Sequence, residues 1–87
     1  MASSGRPARP YLADRRRHLW CPGGRAALLA MADDLGIRHG WLHRGGALEH
    51  IDVPLRDVDR VLADPRVRVM QSPRALLERA KKVTLQP

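Results

Sequence analysis

Residues 37–53 read IRHGWLHRGGALEHIDV, and this stretch decides the predicted fold because apolar residues lie on both sides of a Gly-Gly pair. Such a pair between two short alternating segments is typical of a β-hairpin with a tight primed turn, which needs positive φ at its central residues. We centre the turn on Gly45 and Gly46. The cross-strand pairs that follow are Arg44 with Ala47, Trp41 with His50, and His39 with Asp52.

Side-chain alternation then divides the hairpin into two faces. The polar face carries three histidines and one carboxylate, and its members are His39, Trp41, His43, Leu48, His50 and Asp52. The opposite face consists of Leu42, Ala47, Glu49, Ile51 and Val53. Because the second face is the more apolar one, we expect it to pack on helices and the first to face water.

The polar face has three interpretations that the sequence leaves open. Histidine and aspartate occupy the wet side of many half-buried sheets without a further role. An imidazole beside a carboxylate can also act as a general base or bind a transition metal. In the third interpretation Trp41 is a flat apolar anchor for a protein partner, with His39 and His43 as its polar rim.

Local patterns elsewhere predict three helices. The first covers residues 25–35, where four apolar residues recur on one helical stripe and Gly36 follows as a left-handed C-cap. The stripe consists of Leu28, Met31, Ala32 and Leu35. The second helix follows Pro54 and ends at Asp64-Pro65, and its inner residues are Leu55, Val58 and Leu62.

The end of the chain predicts a strand followed by the last helix. Residues 67–70, VRVM, alternate as a strand does. Ser72 and Pro73 are typical of the N-cap and the first position of a helix. The inner face of that helix consists of Leu76, Leu77, Ala80 and Val83.

The predicted element order is (β)αββαβα, with an optional first strand within residues 11–20. Three helices and three to four strands around one small core predict an α/β (α+β) fold. The arrangement is a small two-layer sandwich with helices mainly on one face of the sheet. Residues 1–10 are small, polar and proline-containing, which predicts a disordered basic arm, and residues 11–87 then form a single small domain.

Positive charge is concentrated at both ends of the chain, which has a net charge of +7. Residues 1–17 hold five arginines against one acid, and residues 66–87 hold six bases against one acid. Fourteen of the sixteen bases are arginine, a side chain suited to bidentate phosphate contacts. We expect weak, salt-sensitive nucleic-acid binding. The residues that would carry it are Arg15, Arg16, Arg17, Arg74, Arg79, Lys81 and Lys82.

The single Cys21 excludes an internal disulfide and a paired-cysteine zinc site. It precedes a predicted helix N-terminus, where a thiolate is favoured, although an ordinary buried cysteine is the preferred interpretation. No apolar run has the length of a signal peptide or a membrane span, so we expect a cytoplasmic protein without a membrane partner. No cofactor and no metal ligand are assigned from the sequence.

Five segments resemble the domain of unknown function 4031 (DUF4031) family, small proteins of bacteria and their phages. They are RHLW, AALLAMADDLGI, WLHR, HIDVP and SPRALLERA, and the resemblance spans about residues 11–83. It implies a fold of the same kind and identifies His18, His50 and Asp52 as the positions to test. The chain departs from the family where Cys21-Pro22-Gly23-Gly24 replaces an acidic-hydroxyl pair, which removes an acid that a shared site would use.

Three functions follow as hypotheses. The leading one is a non-enzymatic accessory protein of bacterial or phage origin that binds nucleic acid through its basic ends. The second is a small hydrolase or nuclease that uses His18, His50 and Asp52, with or without a metal. The third is an adaptor or inhibitor that binds a protein partner through Trp41 and the histidine face.

Overall fold

The chain folds as a five-stranded mixed sheet with three helices, in a computed structural model that describes residues 10–46 and 48–85. The strands are β1 (Tyr11–Ala13), β2 (His18–Trp20), β3 (Leu42–His43), β4 (His50–Asp52) and β5 (Val67–Val69). The helices are α1 (Gly24–Asp34), α2 (Val58–Leu62) and α3 (Pro73–Leu85), with 3₁₀ turns at His39–Trp41 and Leu55–Asp57. The predicted α+β class is confirmed, with five strands where three or four were expected.

The strand order in the sheet is β3-β4-β2-β1-β5. The pair β1 and β5 is parallel, and the other neighbours are antiparallel. The optional first strand is in fact two strands, β1 and β2, joined by a short basic turn. The predicted arm falls mostly on residues 1–9, which lie outside the described residues.

One face of the sheet is apolar and is covered by α1 and α2. Leu19 of β2 pairs with Ile51 of β4, and both side chains are fully buried. The Tyr11 hydroxyl donates to Asp34 at the end of α1, which places that helix on this face. Helix α2 lies on the same side, because Arg60 Nη1 donates to the Leu35 carbonyl at 2.6 Å.

The opposite face is covered by α3 over part of its width. Strand alternation places Leu12, Trp20 and His18 on this face, and the first two are buried. Leu76 and Ala80 of α3 are buried as well. Two of the three helices lie on one face, as predicted, and α3 adds a layer on the other face that the two-layer prediction did not include.

Helix α1 and the start of α3 are built as their local sequence predicts. Gly36 follows α1 with a φ of 71°, and its N–H donates to the Asp33 carbonyl at 3.2 Å. This is the left-handed cap that glycine favours at the end of a helix. At the start of α3 the Ser72 hydroxyl accepts the N–H of Ala75 at 3.1 Å, which is the expected N-cap bond.

The residues of β3 and β4 lie on their predicted faces, but the register of the hairpin differs from the prediction. Leu42 pairs with Ile51 and His43 with His50, so each strand partner lies two residues from its predicted place. Only Gly46 of the glycine pair has positive φ, and a primed type I turn needs it at both. A longer loop therefore joins β3 and β4. The predicted pairing of Arg44 with Ala47 lies outside the described residues, because residue 47 is not described.

The residues before β3 form a 3₁₀ turn instead of a strand. The Trp41 N–H donates to the Arg38 carbonyl at 3.1 Å, and the His39 ring contacts Asp33 at 2.8 Å. The predicted pairs of Trp41 with His50 and of His39 with Asp52 are therefore wrong. Since the shift is an even number of residues, His43, His50 and Asp52 still share one face.

The second helix is shorter than predicted because a 3₁₀ turn precedes it. Leu55 lies in that turn and is 75% exposed, so its assignment to the inner face is wrong. Val61 provides the buried side chain of α2. No helix in the part of the chain described by the structure is long and apolar enough to cross a membrane.

Candidate functional site

Three polar side chains meet on the sheet face that α3 partly covers, and a fourth, His43, lies at their edge. His18 starts β2 and is the register partner of Asp52 on β4, while His43 on β3 is the partner of His50. Residues i and i+2 of a strand share a face, so His50 and Asp52 point to the same side. The sheet order therefore brings together the three predicted catalytic residues, His18, His50 and Asp52.

A fifth side chain, Asp14, contacts this group through His18. It follows β1, is 0% exposed, and its Oδ2 lies 2.8 Å from His18 Nδ1. Its Oδ1 accepts the backbone N–H of Arg16 at 2.7 Å and that of His18 at 3.2 Å. Since a carboxylate only accepts, Nδ1 of His18 carries the proton and Nε2 is left to bind a ligand.

His50 is also oriented by a hydrogen bond at its Nδ1. Its Nδ1 lies 2.8 Å from the Leu48 carbonyl oxygen, an acceptor, so this nitrogen donates. Its Nε2 lies 3.0 Å from Asp52 Oδ1. With Nδ1 protonated, the neutral ring directs an Nε2 lone pair at a carboxylate oxygen. A cation between these two atoms, either a proton or a metal ion, stabilises that contact.

The three candidate ligands converge closely. One ligand atom from each of His18, His50 and Asp52 lies within 4.8 Å of the other two. Two ligands about 2.1 Å from one metal are at most about 4.2 Å apart, so small side-chain rotations bring the set to coordination distance. The rings of His18 and His50 have centroids 5.0 Å apart at an interplanar angle of 79°. The rings are edge to face and are not stacked.

His43 borders this group without joining it. Its Nδ1 is 3.8 Å from Asp52 Oδ2, and its ring centroid is 5.1 Å from that of His50. Its side chain is more exposed than that of His50, 54% against 15%. His43 therefore lies at the rim of the group, open to solvent.

The histidines of this group line a pocket of about 200 Å³, and Asp52 is not among its lining residues. One wall holds the imidazoles and Asp14, and the other is apolar, formed by Leu48 and by Pro73, Leu76 and Leu77 of α3. The polar hairpin face thus forms the wall of a cleft, and the prediction that it faces open water is wrong. The reason is the long loop before β4 together with the position of α3, neither of which local spacing indicates.

The predicted partner-binding residues do not form one surface. His39 pairs with Asp33 beside α1, whereas His43 lies at the histidine pocket. Trp41 is 40% exposed and lines a different groove. The three-residue face that an adaptor would use is therefore not assembled.

The predicted nucleic-acid residues are mostly exposed and lie in two places. Arg15, Arg16 and Arg17 form the turn between β1 and β2, and the Arg17 Nε donates to the Val53 carbonyl at 2.9 Å. The remaining bases lie on α3, where Arg74 pairs with Glu78 at 3.4 Å. The other α3 bases are Arg79, Lys81 and Lys82, all exposed.

Cys21 is not an activated nucleophile. Its side chain is buried, and that burial raises the pKa of the thiol to about 11. A thiol with this pKa is protonated at neutral pH, whereas nucleophilic cysteines have lowered values. The preferred interpretation, an ordinary core cysteine, agrees with the structure.

Asp14 was not identified as a site residue from the sequence. The available signal was an acid directly after a strand and four residues before a histidine, because a tight turn brings such residues together. In comparisons with family models, curated proteins and solved structures, this chain matches no family model, no curated protein and no solved structure.

Proposed function

We propose that the chain is a metal-dependent hydrolase of phosphodiesters, with a divalent transition metal bound by His18, His50 and Asp52. One observation carries the proposal, namely the convergence of the three ligand atoms within 4.8 Å, with His18 and His50 lining an accessible pocket. A lone histidine-aspartate pair is common on protein surfaces. Here two histidines and an aspartate from two neighbouring strands come together, and both imidazoles are oriented through Nδ1.

The donor set suits a catalytic metal. Two imidazole nitrogens and one carboxylate oxygen bind zinc, manganese or iron and leave coordination positions for water and substrate. Such a metal lowers the pKa of bound water to about 7 and so supplies hydroxide at neutral pH. Asp14 holds His18 in the coordinating tautomer, and the Leu48 carbonyl does the same for His50.

The hydrolytic step needs no further cofactor. With a metal held by His18, His50 and Asp52, a bound water that has released a proton to solvent would add its oxygen to phosphorus. The bond between phosphorus and the leaving oxygen would then break, with its electron pair passing to that oxygen. The leaving oxygen then takes a proton. His43 at the pocket rim is the side chain placed to deliver it, because it lies beside Asp52 and is open to solvent.

The charges near the pocket favour an anionic substrate. Arg15 and Arg16 are exposed in the turn that joins the buried Asp14 to His18. Pro73 in the first turn of α3 lines the pocket, with exposed Arg74 next to it in the chain. Together with the net charge of +7, these bases raise the local concentration of phosphate-bearing molecules.

A second function, nucleic-acid binding through the basic ends, is supported by a separate observation. On α3 the exposed bases Arg79, Lys81 and Lys82 have no carboxylate within 4 Å among the described residues. Free cations along one helix can neutralise phosphates and release counterions. Such binding would be independent of sequence and would weaken steeply as salt rises.

Metal binding tests the first proposal directly. Metal-stripped protein is titrated with Zn²⁺ and Mn²⁺ by calorimetry, and metal content is measured after gel filtration. We expect one metal per chain, with binding lost in His50→Ala and Asp52→Asn. His39→Ala is the matched control, because His39 also contacts an aspartate at 2.8 Å but lies outside the pocket.

Activity is measured on bis(p-nitrophenyl) phosphate and on a single-stranded oligonucleotide, with and without a chelator. We expect hydrolysis that requires metal and falls at least 100-fold in His50→Ala, with His39→Ala unchanged. The proposal is wrong if no metal binds stoichiometrically, if the control loses the metal equally, or if neither substrate is cleaved in the metal-loaded state.

A further inference from the structure

A second groove lies apart from the histidine pocket and shares no lining residue with it. It has a volume of about 430 Å³ and is formed where the 3₁₀ turn before β3 meets the chain after β4. Its lining residues are Arg17, Arg38, Trp41, Pro54, Leu55 and Arg56. The combination of one indole, two aliphatic side chains and three guanidinium groups points to a specific kind of ligand.

The apolar part of the groove is unusually exposed. Trp41 is 40% exposed and Leu55 is 75% exposed, and these are the two large hydrophobic residues left open in the part of the chain that the structure describes. Scattered exposed apolar residues are normal, but here both lie in one groove. Trp41 therefore offers an accessible face for a flat, apolar ligand group.

The rim of the groove is positively charged. Arg38 is exposed and has no carboxylate within 4 Å among residues 10–46 and 48–85. Arg56 is 80% exposed, and its Nε lies 3.8 Å from Asp57 Oδ2, a carboxylate that Arg60 also contacts. Three guanidinium groups thus line the groove, with Asp57 as the neighbouring acid.

Arg17 is held in place for this role. It has a φ of 78°, a left-handed backbone conformation that is costly for a residue with a side chain. Its Nε donates to the Val53 carbonyl at 2.9 Å, and its carbonyl accepts the Val53 N–H at 2.7 Å. These contacts fix the base of the guanidinium group, and neither terminal nitrogen has a hydrogen-bond partner among the residues that the structure describes.

We propose that this groove binds single-stranded nucleic acid, with a base stacked on Trp41 and phosphates held by Arg17, Arg38 and Arg56. Aromatic side chains in positively charged grooves bind single strands in this way, because every base has a face that can stack. A duplex hides its base faces, and an acidic peptide offers charge without a flat ring. The net charge of +7 also favours a polyanion.

The groove goes beyond the proposed metal site and does not depend on it. Only one suggestion rests on the proposed function, namely that a strand bound in the groove is the phosphodiester that the metal site cleaves. Arg17 is followed directly by His18, so the two sites are neighbours along the chain. Binding and hydrolysis are separable because their residues differ.

The test is tryptophan fluorescence during titration with a twelve-residue oligothymidylate at low salt. Trp20 is buried, so quenching by the oligonucleotide reports on Trp41. We expect quenching in the wild type, none in Trp41→Phe, and dissociation constants within about threefold of each other because phenylalanine still stacks. Trp41→Ala weakens binding about tenfold or more, measured by anisotropy of a labelled strand.

Matched controls separate the groove from general charge. Arg38→Ala should weaken binding more than Arg74→Ala, which removes the same charge on α3. The titrations are made with a chelator present, so that the strand is not cleaved and failure of the metal site leaves this result intact. The proposal is overturned if Trp41→Ala binds as tightly as the wild type, if duplex DNA binds more tightly than the single strand, or if polyglutamate competes as well as the oligonucleotide.

Discussion

Two histidine-aspartate pairs in this molecule have the same contact distance and different surroundings. His18 meets Asp14 at 2.8 Å, and His39 meets Asp33 at 2.8 Å. Asp14 is fully buried and accepts two backbone N–H groups, whereas the Asp33 side chain is 69% exposed. A histidine-aspartate contact is therefore not enough to form a candidate metal site. Of these two pairs, only the buried one lies beside two more potential metal ligands, His50 and Asp52.

The largest expected difference is in stability. Asp14→Ala leaves the N–H groups of Arg16 and His18 and the His18 ring without their acceptor, and we expect a loss of about 3 kcal/mol in the free energy of unfolding. Asp33→Ala removes an exposed pair and should change it by less than about 0.5 kcal/mol. Urea unfolding followed by circular dichroism measures both. Equal losses in the two variants would show that burial does not distinguish the pairs.

Metal should stabilise the molecule through the buried group only. At a free Zn²⁺ concentration 100 times the dissociation constant, we expect a gain of about 2.7 kcal/mol in the wild type and in His39→Ala. Asp52→Asn should show no gain, because one of the three ligands is lost. Thermal unfolding with and without metal is the measurement, and a similar gain in Asp52→Asn would place the metal elsewhere.

The two glycines of the loop beside the pocket differ in backbone conformation. Gly46 has a φ of 85° and open space around it, so Gly46→Ala is strained by its backbone and should lose about 1 kcal/mol of stability. Gly45 has no positive φ, and Gly45→Ala should be nearly neutral. Denaturant midpoints compare the two variants. Similar losses in both would instead favour the two-residue primed turn.

The smallest effect concerns a third kind of carboxylate, one held by an arginine near the surface. Hydrogen bonds from the Arg66 guanidinium and N–H lower the pKa of Asp64 to about 2. A lowered folded-state pKa stabilises the fold above pH 4, and the contribution is lost as the pH falls towards 2. Asp64→Asn should therefore be slightly less stable than the wild type at pH 6.

The difference between wild type and Asp64→Asn should shrink as the pH falls from about 4 to 2. Unfolding midpoints at pH 6, 4 and 2 test this. A difference that is constant with pH would mean that the Asp64 charge contributes nothing, and that only the side-chain shape matters.

Much of the local structure could be predicted because its causes lie within a few residues. The apolar stripe of α1, Gly36 at its end and the Ser72 cap of α3 each depend on neighbours up to four residues away. The faces of the β3 and β4 residues could also be predicted, because a register shift of two residues leaves each side chain on the same face of the sheet. The length of the loop and the 3₁₀ turn at Trp41 did not follow from spacing.

The candidate site was predicted in part and for unequal reasons. His50 and Asp52 share a strand, so their alternation alone placed them together. His18 was identified through a family resemblance, and its contact with them depends on β2 lying beside β4. Asp14 was missed, since a carboxylate after a strand is ordinary until the sheet buries it.

By itself the sequence determined the helices, the strand parity and the basic ends, since these depend on periodicity, capping and composition. The tertiary structure alone decided which polar residues meet. Strand order brought His18 to within reach of Asp52, thirty-four positions later in the chain, and enclosed Asp14 completely. The physical reason is that burial and ligand convergence depend on long-range strand pairing, which local hydrogen bonds do not specify.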